Sequence, residues 1–145
     1  MTSSAADVLD LDITGIAHGG TFIARHEGRV IFVSDAIPGE RVRARLLDPS
    51  PAAGEPDTRS FWRAETLEVL DPSPHRRPHI WPEADVAHDP AQRPGGADLG
   101  HIELDHQRAL KRQVLAEAFD RFAGPGLEAP EIEAVESGDG TGWRT

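Results

Sequence analysis

The sequence predicts an α+β protein in which a small five-stranded β-barrel of the OB type is followed by an extended proline-rich segment and one amphipathic helix. Five β-like runs joined by turn signals occur within residues 8–71. Glycine and proline, 14 and 12 in number, interrupt the chain almost everywhere except between residues 100 and 124. Short, closely spaced strands favour a closed barrel over an open sheet, because closure removes exposed strand edges.

The first three strands are predicted from two stretches of alternating or β-rich sequence. The run VLDLDI at residues 8–13 alternates strictly between two faces, which is typical of a half-buried strand. The run TFIARHEGRVIFV at residues 21–33 contains two β-rich segments separated by Glu27-Gly28. A two-residue spacer with glycine predicts a tight hairpin, since glycine accepts a positive φ.

The fourth and fifth strands are predicted on either side of an exposed loop at residues 48–58. The turn signal IPGE at residues 37–40 precedes RVRARLLD, and SFWRAETLEVLD ends at residue 71. In the fourth strand three apolar residues share one face and three arginines share the other, because side chains alternate along a strand. The apolar set is Val42, Ala44 and Leu46, and the basic set is Arg41, Arg43 and Arg45.

The rest of the chain is predicted to be a linker, a helix and an unfinished domain. Residues 72–100 are rich in proline and have no periodicity, so we predict a linker after a barrel domain at residues 1–71. Residues 101–145 then hold a helix with Asp105 as N-cap, ended by Gly124-Pro125, and the start of another strand system. The apolar helix positions are Leu110, Val114, Leu115, Ala118, Phe119 and Phe122.

Composition excludes several classes of chemistry. The formal charge of −10 disfavours nucleic-acid binding in general, although residues 22–63 hold seven arginines against six acids, which is a local charge of +1. The absence of cysteine excludes a disulfide, a thiolate nucleophile and an iron–sulfur cluster within these residues. No apolar run approaches the ~20 residues of a membrane span, so a cytoplasmic protein without membrane contact is expected.

Glycine and histidine clusters do not predict a ligand site. His18-Gly19-Gly20 lies between two predicted strands, whereas a phosphate loop needs a following helix. His75 and His79 have the spacing of a helical ligand pair, but the prolines around them exclude a helix. His26 and Glu27 are neighbours in a hairpin turn, where both are solvated, so acid–base catalysis is not predicted there.

An arginine-rich surface is the candidate functional feature. The three arginines of the fourth strand, with others near the hairpin and on the fifth strand, could follow a nucleic-acid backbone, and His26, Phe61 or Trp62 could add base stacking. The alternative is an ordinary solvated strand face. The predicted RNA-binding set is Arg25, Arg29, Arg41, Arg43, Arg45 and Arg63.

The ordered motifs of the predicted barrel resemble a TRAM domain, the OB-like RNA-binding barrel, and in particular that of bacterial S-adenosylmethionine (SAM)-dependent uracil-5 RNA methyltransferases. The family order is a Gly-rich turn, then G-x-x-A/G-R-x-x-G-x-V-x-F-V, then P-G-E-x-V. The matching residues are His18-Gly19-Gly20, Ala24-Arg25, Gly28, Val30, Phe32-Val33, Pro38-Gly39-Glu40 and Val42.

The resemblance extends beyond the barrel but loses the metal ligands. Many relatives have a cysteine cluster ending in C-G-G-C, a histidine, and a helix bearing Q-x-x-x-K. Here the corresponding residues are Pro94-Gly95-Gly96-Ala97, His101, Gln107 and Lys111. Because Pro94 and Ala97 stand where cysteines would be, the resemblance implies the helix and its flanks without an iron–sulfur cluster.

The resemblance implies the RNA-binding N-terminal part of a methyltransferase acting on rRNA or tRNA, and we expect a monomer that does not bind DNA. In that family a cysteine adds to the uracil ring before methyl transfer. With no cysteine here, the nucleophile and the SAM site are expected downstream of residue 145. Three alternatives remain: a free-standing RNA-binding module, a methylthiotransferase, whose TRAM domain is typically C-terminal, and a barrel that contacts only proteins.

Overall fold

The fold is a closed five-stranded barrel followed by an ordered segment and a helix. It is seen in a computed structural model that describes residues 7–47, 54, 56–124, 126–134, 138, 140 and 141. The elements are β1 (Val8–Ala17), β2 (Thr21–His26), β3 (Arg29–Ser34), β4 (Arg41–Leu46), β5 (Phe61–Asp71) and α1 (Leu104–Phe122), with short 3₁₀ turns at Pro82–Ala84 and Pro90–Gln92. All five predicted strands are present.

The strands close in the order β1-β2-β3-β5-β4, with β4 returning to β1. All neighbouring pairs are antiparallel except β3 and β5, which run parallel. The predicted small OB-like barrel with a following helix is therefore confirmed.

β1 belongs to both halves of the barrel. Residues 8–12 pair with β4, and residues 13–17 pair with β2, with a register shift between Ile13 and Gly15. An irregularity of this kind bends a strand and increases its twist. A strand of 10 residues can therefore turn the corner needed to close a small barrel.

The predicted turns have the backbone that their residues favour. Glu27 and Gly28 both have positive φ, at 51° and 78°, as a type I′ hairpin between β2 and β3 requires. Gly39, in the turn before β4, has a φ of 95°. Gly28 and Gly39 therefore form turns between strands.

The core fills the barrel and continues into the residues that follow it. Alternating strand residues point inward, and Ile102 and Leu110 join the same buried cluster from outside the barrel. Buried contacts thus cross the predicted boundary at residue 71. The barrel residues of the cluster are Leu11, Ile13, Ile16, Phe22, Ala24, Ile31, Val33, Ala36, Ile37, Val42, Ala44 and Ala64.

Residues 72–103, which we call the wrap, are hydrogen-bonded to the barrel through a buried carboxylate. The Glu40 side chain, which is fully buried, accepts hydrogen bonds from the backbone of Ile37 at 2.8 Å and of Ser73 at 3.1 Å. It also accepts from Arg76 Nε at 2.7 Å and from a second Arg76 nitrogen at 2.9 Å. Because buried charge is costly unless paired and hydrogen-bonded, these four donors explain why a carboxylate is tolerated here.

Arg93, in the second half of the wrap, is also held by an ion pair and by hydrogen bonds. Its side chain is only 5% exposed and forms an ion pair with Asp35 at 3.0 Å. It donates to the backbone carbonyls of Thr66, Val86 and His88, each at 2.9 Å. A guanidinium with this many acceptors ties the β5 backbone to the wrap.

Buried histidines hold the wrap together internally. His79 Nδ1 accepts from the Trp81 backbone at 2.9 Å, so Nε2 is the ring nitrogen that donates, to the Ala97 carbonyl at 3.0 Å. A Cβ on Gly100 would overlap the His79 ring. His101 Nε2 donates to the Ala36 carbonyl at 2.8 Å. These residues therefore act as packing and hydrogen-bonding groups.

The helix differs from its prediction at its N-terminus but agrees with it at its C-terminus, where it ends at Phe122 and Gly124 follows the C-cap with a φ of 90°. It begins at Leu104, so Asp105 lies inside the first turn, and the preceding residue, Glu103, makes no side-chain cap bond. Asp105 as N-cap is therefore wrong, although a carboxylate in the first turn still suits the helix dipole. Leu110 is buried as predicted, but Phe122 is 82% exposed.

No helix in the described part of the chain is long and apolar enough to cross a membrane.

Half of the predicted second strand system falls outside the described residues. Of residues 130–145, the structure describes 130–134, 138, 140 and 141, and these contain no strand.

Gln107 connects the helix to the wrap by donating to the carbonyls of Leu99 and Ile102, both at 2.9 Å. The helix is thus held to the barrel through the wrap.

Candidate nucleic-acid interface

Two surfaces of the barrel carry the predicted RNA-binding arginines, and the first is the outer face of β4. We call Arg41, Arg43 and Arg45 the arginine strand. The alternation predicted from the sequence is observed, since Val42 and Ala44 between them are buried. The three guanidinium groups therefore share one outer face, as expected for alternate positions of a strand.

Acidic residues on both neighbouring strands face the arginine strand. The β1 partners of Arg43 and Arg41 are Asp10 and Asp12, and the β5 partners of Arg43 and Arg45 are Glu68 and Glu65. Asp71 on β5 also lies opposite Arg41, so the register places five acids beside three arginines. Directly opposed residues of opposite charge are close enough to pair in a sheet.

The pairing is close at each position of the arginine strand. Arg41 lies 2.8 Å from Asp12, and Arg45 lies 2.5 Å from Glu65. Arg43 makes two bonds to Asp10, at 2.9 and 3.2 Å, and lies 3.6 Å from Glu68. Exposed pairs of this kind contribute little to stability, but they neutralise the charge that a phosphate would meet.

The Arg43–Asp10 pair also changes the titration of both groups. The hydrogen bond from Arg43 lowers the pKa of the Asp10 carboxyl, and the same bond raises the pKa of the Arg43 guanidinium. Both shifts favour the ionised forms. The pair therefore stays charged and closed through the mildly acidic range.

Arg29 is held in a cluster at the start of β3. It lies 2.6 Å from Asp57 and 4.5 Å from the centre of the Trp62 ring. Asp57 also accepts from Arg59 and, at 2.7 Å, from Trp62 Nε1. Hydrogen bonding from Arg59 is the main cause that lowers the pKa of Asp57. Arg29 and Trp62 are therefore engaged with each other and with Asp57.

The second surface is the outer face of β2, β3 and β5. The register places Ile23, Phe32 and Arg63 in one cross-strand row. The next row contains Arg25 and Phe61 on either side of Val30. Two aromatic rings and two of the predicted arginines thus occupy adjacent rows of the same face.

This face carries two neighbouring depressions that we together call the aromatic trough, defined by His18, Phe32, Phe61, Arg25 and Arg63. Two adjoining cavities of about 480 and 580 Å³ make it up, and both are bordered by His18 and Phe32. Phe61 lines the first cavity and Arg25 the second. The Phe32 and Phe61 rings meet edge to face, with centroids 5.2 Å apart.

The charge around the aromatic trough is predominantly positive. Its charged lining residues are Arg63 at one end, Arg25 and Arg121 at the other, and Glu117 as the single acid among the described residues. Arg25 is exposed, and within the described ranges no carboxylate lies at ion-pair distance from it. An excess of arginine beside aromatic rings suits a nucleic acid.

Sequence reasoning identified some of these residues and missed others. Arg25, Arg63 and Phe61 were predicted, and the structure brings them to one face; His26 does not line it. His18 and Arg121 were not predicted as site residues. Arg121 continues the helical spacing of Val114 and Ala118, but the packing of α1 beside β2 and β3 is a long-range contact.

No cluster of histidine and carboxylate side chains in the described residues could hold a metal ion, since no three of these groups lie close enough together. His75 and His106 stack with ring centres 3.8 Å apart and connect the wrap to α1. Their contact is therefore structural.

Comparison with known proteins bears on the function of these surfaces. Residues 6–51 match the TRAM domain. The chain is 33% identical, over 88% of its length, to the 23S rRNA (uracil(1939)-C(5))-methyltransferase RlmD of Shewanella denitrificans. It is 38% identical, over 94% of its length, to an uncharacterized RNA methyltransferase of Streptomyces avermitilis. A third relative, from Streptomyces coelicolor, is 37% identical over 99% of the chain.

The chain spans about a quarter to a third of the length of these curated relatives, at 24%, 31% and 31%. The resemblance to a TRAM domain is therefore confirmed over residues 6–51, and the similarity to RNA methyltransferases extends along most of the chain.

Proposed function

Since the chain carries a TRAM domain and is related along most of its length to RNA methyltransferases, we propose that it is the RNA-binding part of a SAM-dependent RNA (uracil-5-) methyltransferase. The substrate class is rRNA or tRNA, and the protein acts as a cytoplasmic monomer. The observation that carries the proposal is a barrel face rich in arginine and aromatic residues on a chain whose net charge is −10.

We assign the first contact with RNA to the aromatic trough. A phosphate approaching Arg25 has no described carboxylate to displace from that arginine. A phosphate approaching Arg41 or Arg43 must exchange for Asp12 or Asp10. Because such an exchange replaces one charge pair with another, it adds little net attraction. We therefore propose that the arginine strand and Arg29 contact RNA only after the trough does. These contacts require the carboxylates paired with those arginines to move away from them.

The methyl-transfer chemistry is assigned to a part of the protein outside these 145 residues. SAM supplies the methyl group when bound. Among the described glycines with positive φ, Gly28 and Gly39 lie in turns between strands, and Gly96 precedes α1 but follows a 3₁₀ turn and not a strand. A dinucleotide-type cradle would need a glycine-rich loop that runs from a strand directly into a helix. These residues therefore do not fit the cofactor, and they also lack the cysteine of the covalent step.

The experiment is filter binding of the 145-residue chain to a structured rRNA fragment over a series of salt concentrations. For single-stranded contacts the logarithm of the binding constant falls with the logarithm of salt by about 0.7 per phosphate engaged. We expect a salt-dependent affinity that falls in Arg25→Gln. The matched control is Arg41→Gln, which removes one arginine that is already paired with an acid.

A second candidate is a barrel that contacts only proteins, which the net charge of −10 favours. It predicts no RNA binding at low salt and no salt dependence. If the wild-type chain does not bind RNA, this candidate replaces the first. If the arginine-strand variant loses more affinity than the trough variant, the RNA-binding function stands but its location moves to β4.

A further inference from the structure

We propose that residues 79–101 of the wrap, which we call the clasp, form an acid-sensitive switch: protonation of His79 and His101 opens the clasp while the barrel stays folded. This inference goes beyond the proposed RNA-binding function and holds whether or not the chain binds RNA. It concerns the segment that joins the barrel to α1.

His79 joins the two ends of the clasp. Its side chain is buried, and its ring nitrogens bond the backbone of Trp81 on one side and of Ala97 on the other. The backbone bond from Ile80 to the Gly100 carbonyl, at 3.1 Å, lies beside them. The ring packs directly on Gly100, where a Cβ would overlap it. One imidazole therefore connects residues that are about twenty positions apart.

Only a neutral ring can make both hydrogen bonds of His79. Nδ1 accepts from the Trp81 N–H at 2.9 Å, which requires a lone pair on that nitrogen. An imidazolium carries a proton on both nitrogens and accepts at neither. Protonation would therefore set two N–H groups against each other and break the bond to Trp81.

His101 imposes the same requirement at the end of the clasp. Nε2 donates to the Ala36 carbonyl of the barrel at 2.8 Å, and Nδ1 is buried without a partner among the described residues. A proton on Nδ1 would be a buried donor without an acceptor, which is costly. Burial is the main cause that lowers the pKa of His101, in agreement with a neutral ring in the folded chain.

The surroundings of the two rings add to the cost of protonation. Their centroids are 6.3 Å apart, so two imidazolium charges would repel each other. Glu40 and Asp35 favour a protonated ring but are already paired with arginines, and Asp85 accepts from two backbone N–H groups. The charged groups that face the rings are Asp35, Glu40, Asp85 and Arg76.

Opening of the clasp would loosen α1. Gln107 of α1 donates to the Leu99 carbonyl, and the His106 ring stacks on His75, so the wrap holds the helix in place. Arg121 at the other end of α1 lines the second cavity of the aromatic trough. The proton concentration would thereby control the shape of the trough.

The test follows amide hydrogen exchange of the 145-residue chain by NMR at pH 7 and pH 5.5, in a series of low urea concentrations, with rates corrected for the intrinsic effect of pH. The clasp reporters are the hydrogen-bonded amides of Ile80, Trp81 and Gly100. The barrel reporters are Ile31 and Val33 of β3, which pairs on both sides.

We expect protection of the clasp amides to fall by about tenfold between pH 7 and pH 5.5, because taking up one proton changes an equilibrium by up to about tenfold per pH unit below about 6.5. At pH 5.5 the clasp amides should exchange at least about tenfold faster than the barrel amides, and with a weaker dependence on urea, since a local opening exposes less surface than global unfolding.

The test variants remove the titrating groups and keep one hydrogen bond each. His79→Asn retains an acceptor near the position of Nδ1, and His101→Gln retains a donor for Ala36. In the double variant the pH effect on the clasp amides should shrink to less than about threefold. His88→Asn is the matched control, because His88 is exposed in the same segment, and it should keep the full effect.

The outcomes are decisive in each direction. Clasp and barrel amides that exchange at one rate with one urea dependence would show global unfolding and overturn the inference, as would clasp protection that does not change with pH. A full pH effect in the double variant also overturns it. If the double variant does not give a folded spectrum at pH 7, His101→Gln alone must reduce the pH effect, and an undiminished effect there overturns the proposal.

Discussion

The arginine strand and the aromatic trough lie on the same small barrel and differ in what faces their arginines. On β4, each arginine has an acid on a neighbouring strand, and four acids lie at ion-pair distance from the three guanidinium groups. In the trough, three arginines border apolar rings, and Glu117 is the one acid among the described lining residues. The number of arginines on a face is therefore a poor guide to its potential, because the strands beside that face decide its net charge.

The largest expected effect concerns the buried Glu40 carboxylate, which helps to stabilise the barrel that carries both surfaces. Glu40→Ala leaves the Arg76 guanidinium, whose side chain is 13% exposed, without its carboxylate, so we expect the free energy of unfolding to fall by about 3 kcal/mol or more. Asp12→Ala, which removes an exposed partner of Arg41, should change it by less than about 1 kcal/mol. Urea unfolding followed by circular dichroism measures both. Equal losses would mean that burial does not distinguish the two ion pairs.

Removing acids beside the arginine strand should increase its contribution to RNA binding. Asp10→Asn combined with Asp12→Asn should release Arg43 and Arg41 for phosphate contact. We expect RNA affinity at low salt to rise several-fold, and the salt dependence to steepen by about 0.7 for each new contact to a single strand. Filter binding provides the measurement. Glu133→Gln is the control for the general change in net charge, and an equal rise there would show that pairing on β4 is irrelevant.

A smaller effect should arise inside the trough. Glu117→Gln removes its single described acid and should strengthen RNA binding by about twofold to fivefold, because a partly exposed charge at this distance is worth about 0.5–1 kcal/mol. Glu128→Gln, which removes an acid that does not line the trough, should leave affinity nearly unchanged. Binding curves at one low salt concentration suffice, and a weaker complex in Glu117→Gln would contradict the assignment.

Mild acid should affect the scaffold and spare the arginine strand. Burial lowers the pKa of His101 below its ordinary value of 6.5, while Arg76, Asp35 and Glu40 surround it. The unfolded chain then binds more protons than the folded one below about pH 6.5, so stability should fall as the pH falls through this window. Denaturant midpoints between pH 7.5 and 5 measure the slope, which should be flatter in His101→Gln.

His106 contributes in the same direction, because burial and His75 lower its pKa. Some slope should therefore persist in His101→Gln. The Arg43–Asp10 pair should remain closed over the same range, since the pKa of Asp10 is lowered from an already acidic value. A stability that rises on acidification would contradict the burial of neutral histidine.

Local features of the fold could be predicted from the sequence because they depend on neighbouring residues. Glu27-Gly28 predicts its hairpin from two positions, and the alternation around Val42 predicts which face of β4 is buried. From the sequence, Glu40 can be recognised only as part of the turn motif at residues 37–40. Its partners Ser73 and Arg76 lie 33 and 36 positions later, and no local pattern connects them.

The candidate site was harder to predict because it depends on which strands become neighbours. Arg25 and Arg63 share a face only because β5 pairs in parallel with β3, in the register Val30 to Phe61. The pairing of Arg43 with Asp10 spans 33 positions in the same way. A stripe of arginines predicts an outward face, whereas its net charge requires the full strand order.

The buried Glu40 carboxylate also determines where this chain can be divided for study. A fragment ending at Asp71 would retain all five strands, yet it would lack the Ser73 and Arg76 donors and leave a charge buried without its counter-ion. The smallest fragment that folds should therefore include Arg76, and it should gain further from Ile102 and Leu110, which complete the core. Expression trials of the isolated barrel should extend past the last strand for this reason.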